Sequence, residues 1–180
     1  MLNKVILVCA LFTAAGSSLT CRWMDNHFKQ YIDSSLDLLK TMKNDSLNST
    51  DVELDDAAAF PNELYRHASR ESRRERLSFA AHVLNEIYAL FEEDQTHAPW
   101  SARVVEDFRD IIEQQANGVG SCVQIGKHTH HRKNHRKMTM YFKKLSRHVL
   151  AHMRHSADAW ELVRAEVRLH LHRVYLLATS

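Results

Sequence analysis

The chain has 180 residues, of which only four are Gly and two Pro; 44% are hydrophobic and the formal charge is +2. So few backbone breakers exclude collagen-like and Pro/Gly-rich disordered classes and leave little material for the many tight turns of a β-sandwich or barrel. The length is that of about one domain, large enough to bury most of its apolar surface.

Met1-Leu2-Asn3-Lys4 precedes an apolar run from Val5 to Ala15, and Gly16-Ser17-Ser18 follows it. A positive start, a short apolar run and small residues after it predict a secretory signal peptide over residues 1–20, cleaved somewhere in 16–20. The run is shorter than the roughly 20 apolar residues that span a bilayer. The expected product is a single secreted domain over residues 21–180. Cys9 leaves with the leader, so Cys21 and Cys122 remain. An even number in an oxidising compartment favours one disulfide. In the chain-entropy model, closing a loop of this length is worth up to about 4.7 kcal/mol. Two glycosylation sequons, at Asn44 and Asn48, lie in a polar loop rich in Asn, Ser, Thr and Asp.

Five long helices are expected. The first covers about Trp23–Lys43, where Phe28, Ile32, Leu36, Leu39 and Met42 form one apolar stripe. A loop runs from Asn44 to about Phe60, and Pro61 suits the first turn of a helix. Residues Arg66–Arg76 read as a charged, solvated connector. The second long helix, about Glu71–Glu93, is apolar on two faces and belongs in the middle of the domain. The third starts at about Trp100 and is expected to stop by Ala116, because Asn117-Gly118-Val119-Gly120 is a stop signal. A His- and Lys/Arg-rich loop then spans Lys127–Lys137, before a fourth helix over Met138–His155. Ser156 caps the fifth, Ala157–Ala178, whose stripe is Trp160, Val163, Val167, Leu171, Val174 and Leu177. Nothing reads as a strand. The fold expected is all-α, and the long first crossover loop allows the up-up-down-down topology of helical cytokine bundles.

The last helix carries Ala159-Trp160-Glu161-Leu162-Val163-Arg164-Ala165-Glu166-Val167. This block resembles the C-terminal signature of type I interferons, Cys-Ala-Trp-Glu-Val-Val-Arg-Ala-Glu-Ile. Asn85–Phe91, Trp100 and Met138–Leu145 are similar to further parts of the same family, so the resemblance covers essentially the whole mature chain. Cys122 follows the third helix where the family places a cysteine bonded to the first mature residue, here Cys21. Asp158 stands where many mammalian members carry a cysteine of a second bridge, which makes the chain similar to the two-cysteine fish group. The resemblance implies a secreted cytokine, without enzymatic activity or cofactor. Such a cytokine joins two chains of a class II cytokine receptor and acts through Janus kinases and STAT factors on antiviral genes. It also implies that the higher-affinity receptor chain meets the first long loop and the exposed face of the last helix. By position that face includes Arg164, Ala165, Arg168 and His172, whereas Trp160 reads as core.

Between Gln114 and Ala157 there is no acidic residue, yet this stretch holds nine Lys/Arg and seven His. Its basic patch comprises Lys127, Arg132, Lys133, Arg136, Lys137, Lys143, Lys144 and Arg147. Such clusters attract sulfated glycans or anionic membranes. For a secreted chain nucleic acid is not the expected partner. A cationic, His-rich antimicrobial or glycan-binding protein is therefore the alternative function. The stretch His128-Thr129-His130-His131-Arg132-Lys133-Asn134-His135 offers imidazoles, but the surrounding cations and the lack of nearby Cys or carboxylate argue against a metal site. No nucleophile elbow, phosphate loop or zinc-protease motif is present in the sequence.

Overall fold

The computed structural model describes residues 22–42, 59–123 and 132–180, with Arg132 described by its backbone alone. Six α-helices make up these segments, and no strand occurs among the described residues. They are α1 (Lys29–Thr41), α2 (Asn62–Ala68), α3 (Arg73–Leu90), α4 (Ala102–Ser121), α5 (Arg132–Lys144) and α6 (Ala157–Thr179). A π-helical turn, Met24–Phe28, leads into α1, and a second, Leu145–Ala151, continues α5. The second π-helical segment keeps Leu145, Val149 and Leu150 buried at the end of a helix whose inner side is already set by Met138, Tyr141 and Phe142.

Local sequence explains where the helices begin. Ser72 and Glu75 form a reciprocal capping box, in which Glu75 N–H donates to Ser72 Oγ at 3.4 Å and Ser72 N–H donates to Glu75 Oε2 at 3.1 Å. Ser101 Oγ accepts from Val104 N–H at 3.3 Å, and Ser156 Oγ from Ala159 N–H at 3.3 Å. The chain turns into α6 through Arg154 and His155, both at φ 53°, a left-handed corner unusual for side chains other than Gly.

Helix directions follow from which residues meet. Tyr31 of α1 meets Gln114 of α4, and Trp23 before α1 meets Gly118 near the end of α4, so α1 and α4 are antiparallel. Phe28 stacks near Tyr175 while Leu39 O accepts from Arg164, so α1 and α6 are antiparallel. Arg76 reaches Leu177 O and Phe91 meets Trp160, so α3 also opposes α6. Thus α1 and α3 run one way and α4 and α6 the other, the up-up-down-down arrangement. The pairs His82–His135 and Glu93–His155 place α5 and its continuation parallel to α3. The core runs through all these helices. Its largest fully buried side chains include Trp160, Phe28, Phe91 and Phe108.

Two expected boundaries shift. Helix α4 does not stop at Ala116 but continues through Gly118 and Gly120 to Ser121. Gly118 provides close approach instead of a stop: a Cβ there would lie 2.4 Å from the indole of Trp23. Helix α5 begins at Arg132, inside the stretch expected to be loop to Lys137. There the apolar spacing that marks a helix is missing, although His135 stacks on His82 of α3 and Met138 is fully buried.

The two glycines predict opposite effects. In a helix, Gly→Ala ordinarily stabilises by up to about 1 kcal/mol. Nothing lies within 4 Å of a Cβ at Gly120, so Gly120→Ala should raise the unfolding midpoint. Gly118→Ala should lower it, through a loss of about 1–3 kcal/mol in stability, because the new methyl must displace the Trp23 ring. Chemical denaturation of the two variants checks the sign of each.

Candidate functional site

The outer side of α6 presents Ala165, Arg168, Leu169, His172, Arg173 and Leu176, spaced by three and four residues and all exposed. Leu169 is 43% and Leu176 58% exposed; with Met140 they are the exposed large hydrophobic residues among those described. Two apolar side chains flanked by arginines make a surface of the composition that protein partners use. Arg173 Nη2 donates to Asn62 Oδ1 at 3.1 Å and ties this stripe to α2, the helix at the end of the first crossover. Between them lies a groove of about 560 Å3, lined by Asn62, Tyr65, Arg66, Arg173, Leu176 and Leu177 among others.

Beneath the stripe, a buried polar network fixes α6 against its neighbours. Tyr65 of α2 and His170 Nδ1 are 2.6 Å apart. His170 is fully buried, and its burial pushes the imidazole down to about 3, so the ring is neutral and shares one hydrogen bond with the Tyr65 hydroxyl. Tyr141 of α5 donates to Glu166 Oε1. Desolvation raises the Glu166 carboxyl above the usual carboxylate range, while the Tyr141 bond acts the other way. Burial also drives both phenols upward, so Tyr65 and Tyr141 stay protonated.

The block Trp160–Glu166 is mostly architecture. Trp160 and Val163 are fully buried. Glu161 accepts from Trp100 Nε1 at 2.8 Å and from Arg164 Nε at 2.7 Å. Arg164 Nη1 reaches across to Leu39 O at 3.3 Å, and its side chain is only 12% exposed. Of the sequence-derived candidates, Ala165, Arg168 and His172 share the exposed stripe, while Arg164 sits at its inner edge as a tie to α1. Leu169 and Leu176 are not among those candidates, although their spacing from Ala165 and His172 continues the same face.

The other candidates fall elsewhere. Cys122 is the half-buried C-cap of α4. Cys21, Asn44, Asn48 and Lys127 lie outside the described residues, as do residues 1–20, His128, His130 and His131. Lys133, Arg136, Lys137, Lys143, Lys144 and Arg147 are all exposed along α5 and its continuation. His135 turns inward and stacks on His82, with ring centroids 4.6 Å apart.

Residues 24–180 match the family model of the interferon alpha/beta domain. The chain belongs to the type I interferon family. Interferon a3 of Oncorhynchus mykiss is 32% identical over 175 residues, covering 97% of this chain and 93% of that protein. Interferon alpha-1/2 of Canis lupus familiaris is 30% identical over 135 residues, covering 73% of this chain and 71% of its own. The solved structure of zebrafish interferon 1 superposes with a TM-score of 0.76 at 26% identity, over 88% of this chain and 98% of that one. The protein is thus a type I interferon cytokine and not an enzyme. Membership of the family implies cytokine receptor chains as partners of this interferon. No described helix of the interferon is long and apolar enough to cross a membrane.

Proposed function

We propose that this interferon is secreted after removal of residues 1–20 and joins the two chains of a class II cytokine receptor. Janus kinases and STAT factors then carry the signal to antiviral genes. The observation that supports this reading best is the exposed α6 stripe. Within one family-matched helix, the structure buries Trp160, Val163, Glu166 and Val167 and leaves Ala165, Arg168, Leu169, His172 and Leu176 outward. The higher-affinity receptor chain would take this stripe together with the first crossover. A bond between Cys21 and Cys122 would anchor the chain start near the end of α4, where Trp23 already covers Gly118. Glycans on Asn44 and Asn48 would sit within the crossover.

The test is receptor-ectodomain binding. The pair A165R/R168E should reduce affinity for one receptor chain about 10- to 100-fold, since arginine is enriched among the few residues that dominate interfaces. Its melting temperature should be unchanged, because both side chains are exposed. Arg164→Ala should lower thermal stability as well, by about 1–3 kcal/mol, through loss of its bonds to Glu161 and Leu39. Unchanged affinity in A165R/R168E would remove α6 from the interface.

A further inference from the structure

The acid-free segment that the receptor reading leaves unused folds into a continuous cationic ridge. Lys133, Arg136, Lys137, Lys143, Lys144 and Arg147 all point outward from α5 and its π-helical continuation. At about 1.5 Å per residue, they extend along roughly 20 Å. None of the six pairs with a described carboxylate. The neighbouring acids are engaged elsewhere: Glu86 with Thr139 and His82, Glu93 with His155. Of the exposed carboxylates, Asp33, Asp37, Glu106, Asp107, Asp110 and Glu113 lie on α1 and α4, and Glu63 on α2 is paired with Arg66, whereas α5 packs on α2 and α3 and its continuation on α6. Among the described residues the charge is therefore polarised, and the basic side is not compensated locally.

We infer that this α5 ridge is a binding surface for a linear sulfated polysaccharide of the cell surface, separate from the α6 stripe. Charge complementarity along a narrow row favours an extended polyanion. An anionic membrane fits less well. The helix keeps Met138, Tyr141, Phe142, Leu145, Val149 and Leu150 buried, and among the described residues Met140 is the one large apolar side chain exposed on this side, so they offer no apolar face to enter lipid. The ridge would concentrate the cytokine near the cells that it meets, without using the receptor stripe.

The probe is immobilised heparin, with the full mature chain. The wild type should be retained above physiological ionic strength. Counterion release makes binding to a polyanion fall with salt, by about 0.7–0.9 in log–log slope per neutralised charge. K143Q/K144Q/R147Q should therefore elute at lower salt, with its slope reduced by roughly two. K40Q/R70Q/R103Q removes as much charge from exposed positions outside the ridge and should elute near the wild type. Circular dichroism of both variants should overlay on the wild type. Equal loss in both variants would reduce the effect to net charge and overturn the proposal. So would wild-type elution below physiological salt, or binding to phosphatidylserine vesicles as tight as to heparin. Retention that tracks self-association in sedimentation would assign the ridge to a second copy of the chain and also overturn it.

Discussion

Replacing Trp160 by Ala should cost about 3–5 kcal/mol, a large share of the roughly 5–15 kcal/mol that holds a domain folded. Trp160 has no solvent exposure and joins an aromatic cluster with Phe91 at 5.7 Å and Trp100 at 5.9 Å between ring centroids. These rings come from α6, α3 and the segment before α4, so the cavity would open where three parts of the chain meet. At this chain length the melting temperature should fall by about 10 °C or more. Trp160→Phe should be much milder. Among the described residues the indole Nε1 of Trp160 has no hydrogen-bond partner, so the native side chain already carries the cost of a buried, unsatisfied donor. Phe removes that donor while retaining much of the ring contact. Urea unfolding of the two variants checks the account. Equal losses in both would mean that the indole is held by something other than packing.

The second large effect is with pH. His170 titrates at about 3 in the folded chain against 6.5 unperturbed, because burial disfavours its charged form. The unfolded chain therefore takes up a proton as pH falls below about 6.5, and the folded chain does not. Stability from this group is present above that pH and is lost at about 1.4 kcal/mol per unit as pH falls toward 3, up to about 4 kcal/mol. Glu166 acts with the opposite sign. Its raised carboxyl penalises the fold while ionised, and the penalty is relieved as pH falls through its folded value. His170→Asn keeps a hydrogen-bonding partner for Tyr65 and removes the titration. The gap between wild type and His170→Asn, measured by urea unfolding from pH 7 to pH 4, therefore isolates the imidazole. The wild type should lose stability faster as pH falls; parallel curves would place the burial penalty elsewhere.

Much of the fold could be read from the sequence because its helices are amphipathic in the simple way that apolar spacing detects. The stripe Trp160–Leu177 and the Ser156 cap match α6. The helix end near Gly118 is not legible in the sequence for a physical reason. A glycine that ends a helix and a glycine that admits a neighbouring ring look alike in sequence, and only the position of Trp23 separates them. The start of α5 at Arg132 escaped because a helix made of Lys, Arg and His shows no apolar period until Met138. The site was half legible. Resemblance pointed to Arg164, Ala165, Arg168 and His172, but helical spacing does not tell a half-buried arginine that ties two helices from an exposed one. Nor did the sequence disclose the His170–Tyr65 and Glu166–Tyr141 pairs. Each joins residues 105 and 25 positions apart, respectively, on different helices.

A STAT-driven antiviral reporter in cells of the source species, treated with the purified mature chain, addresses the central claim most directly. The account predicts a saturable response at low protein concentration that disappears when either receptor chain is deleted and weakens with A165R/R168E. A response that survives deletion of both receptor chains, or none at all from correctly folded protein, would contradict it.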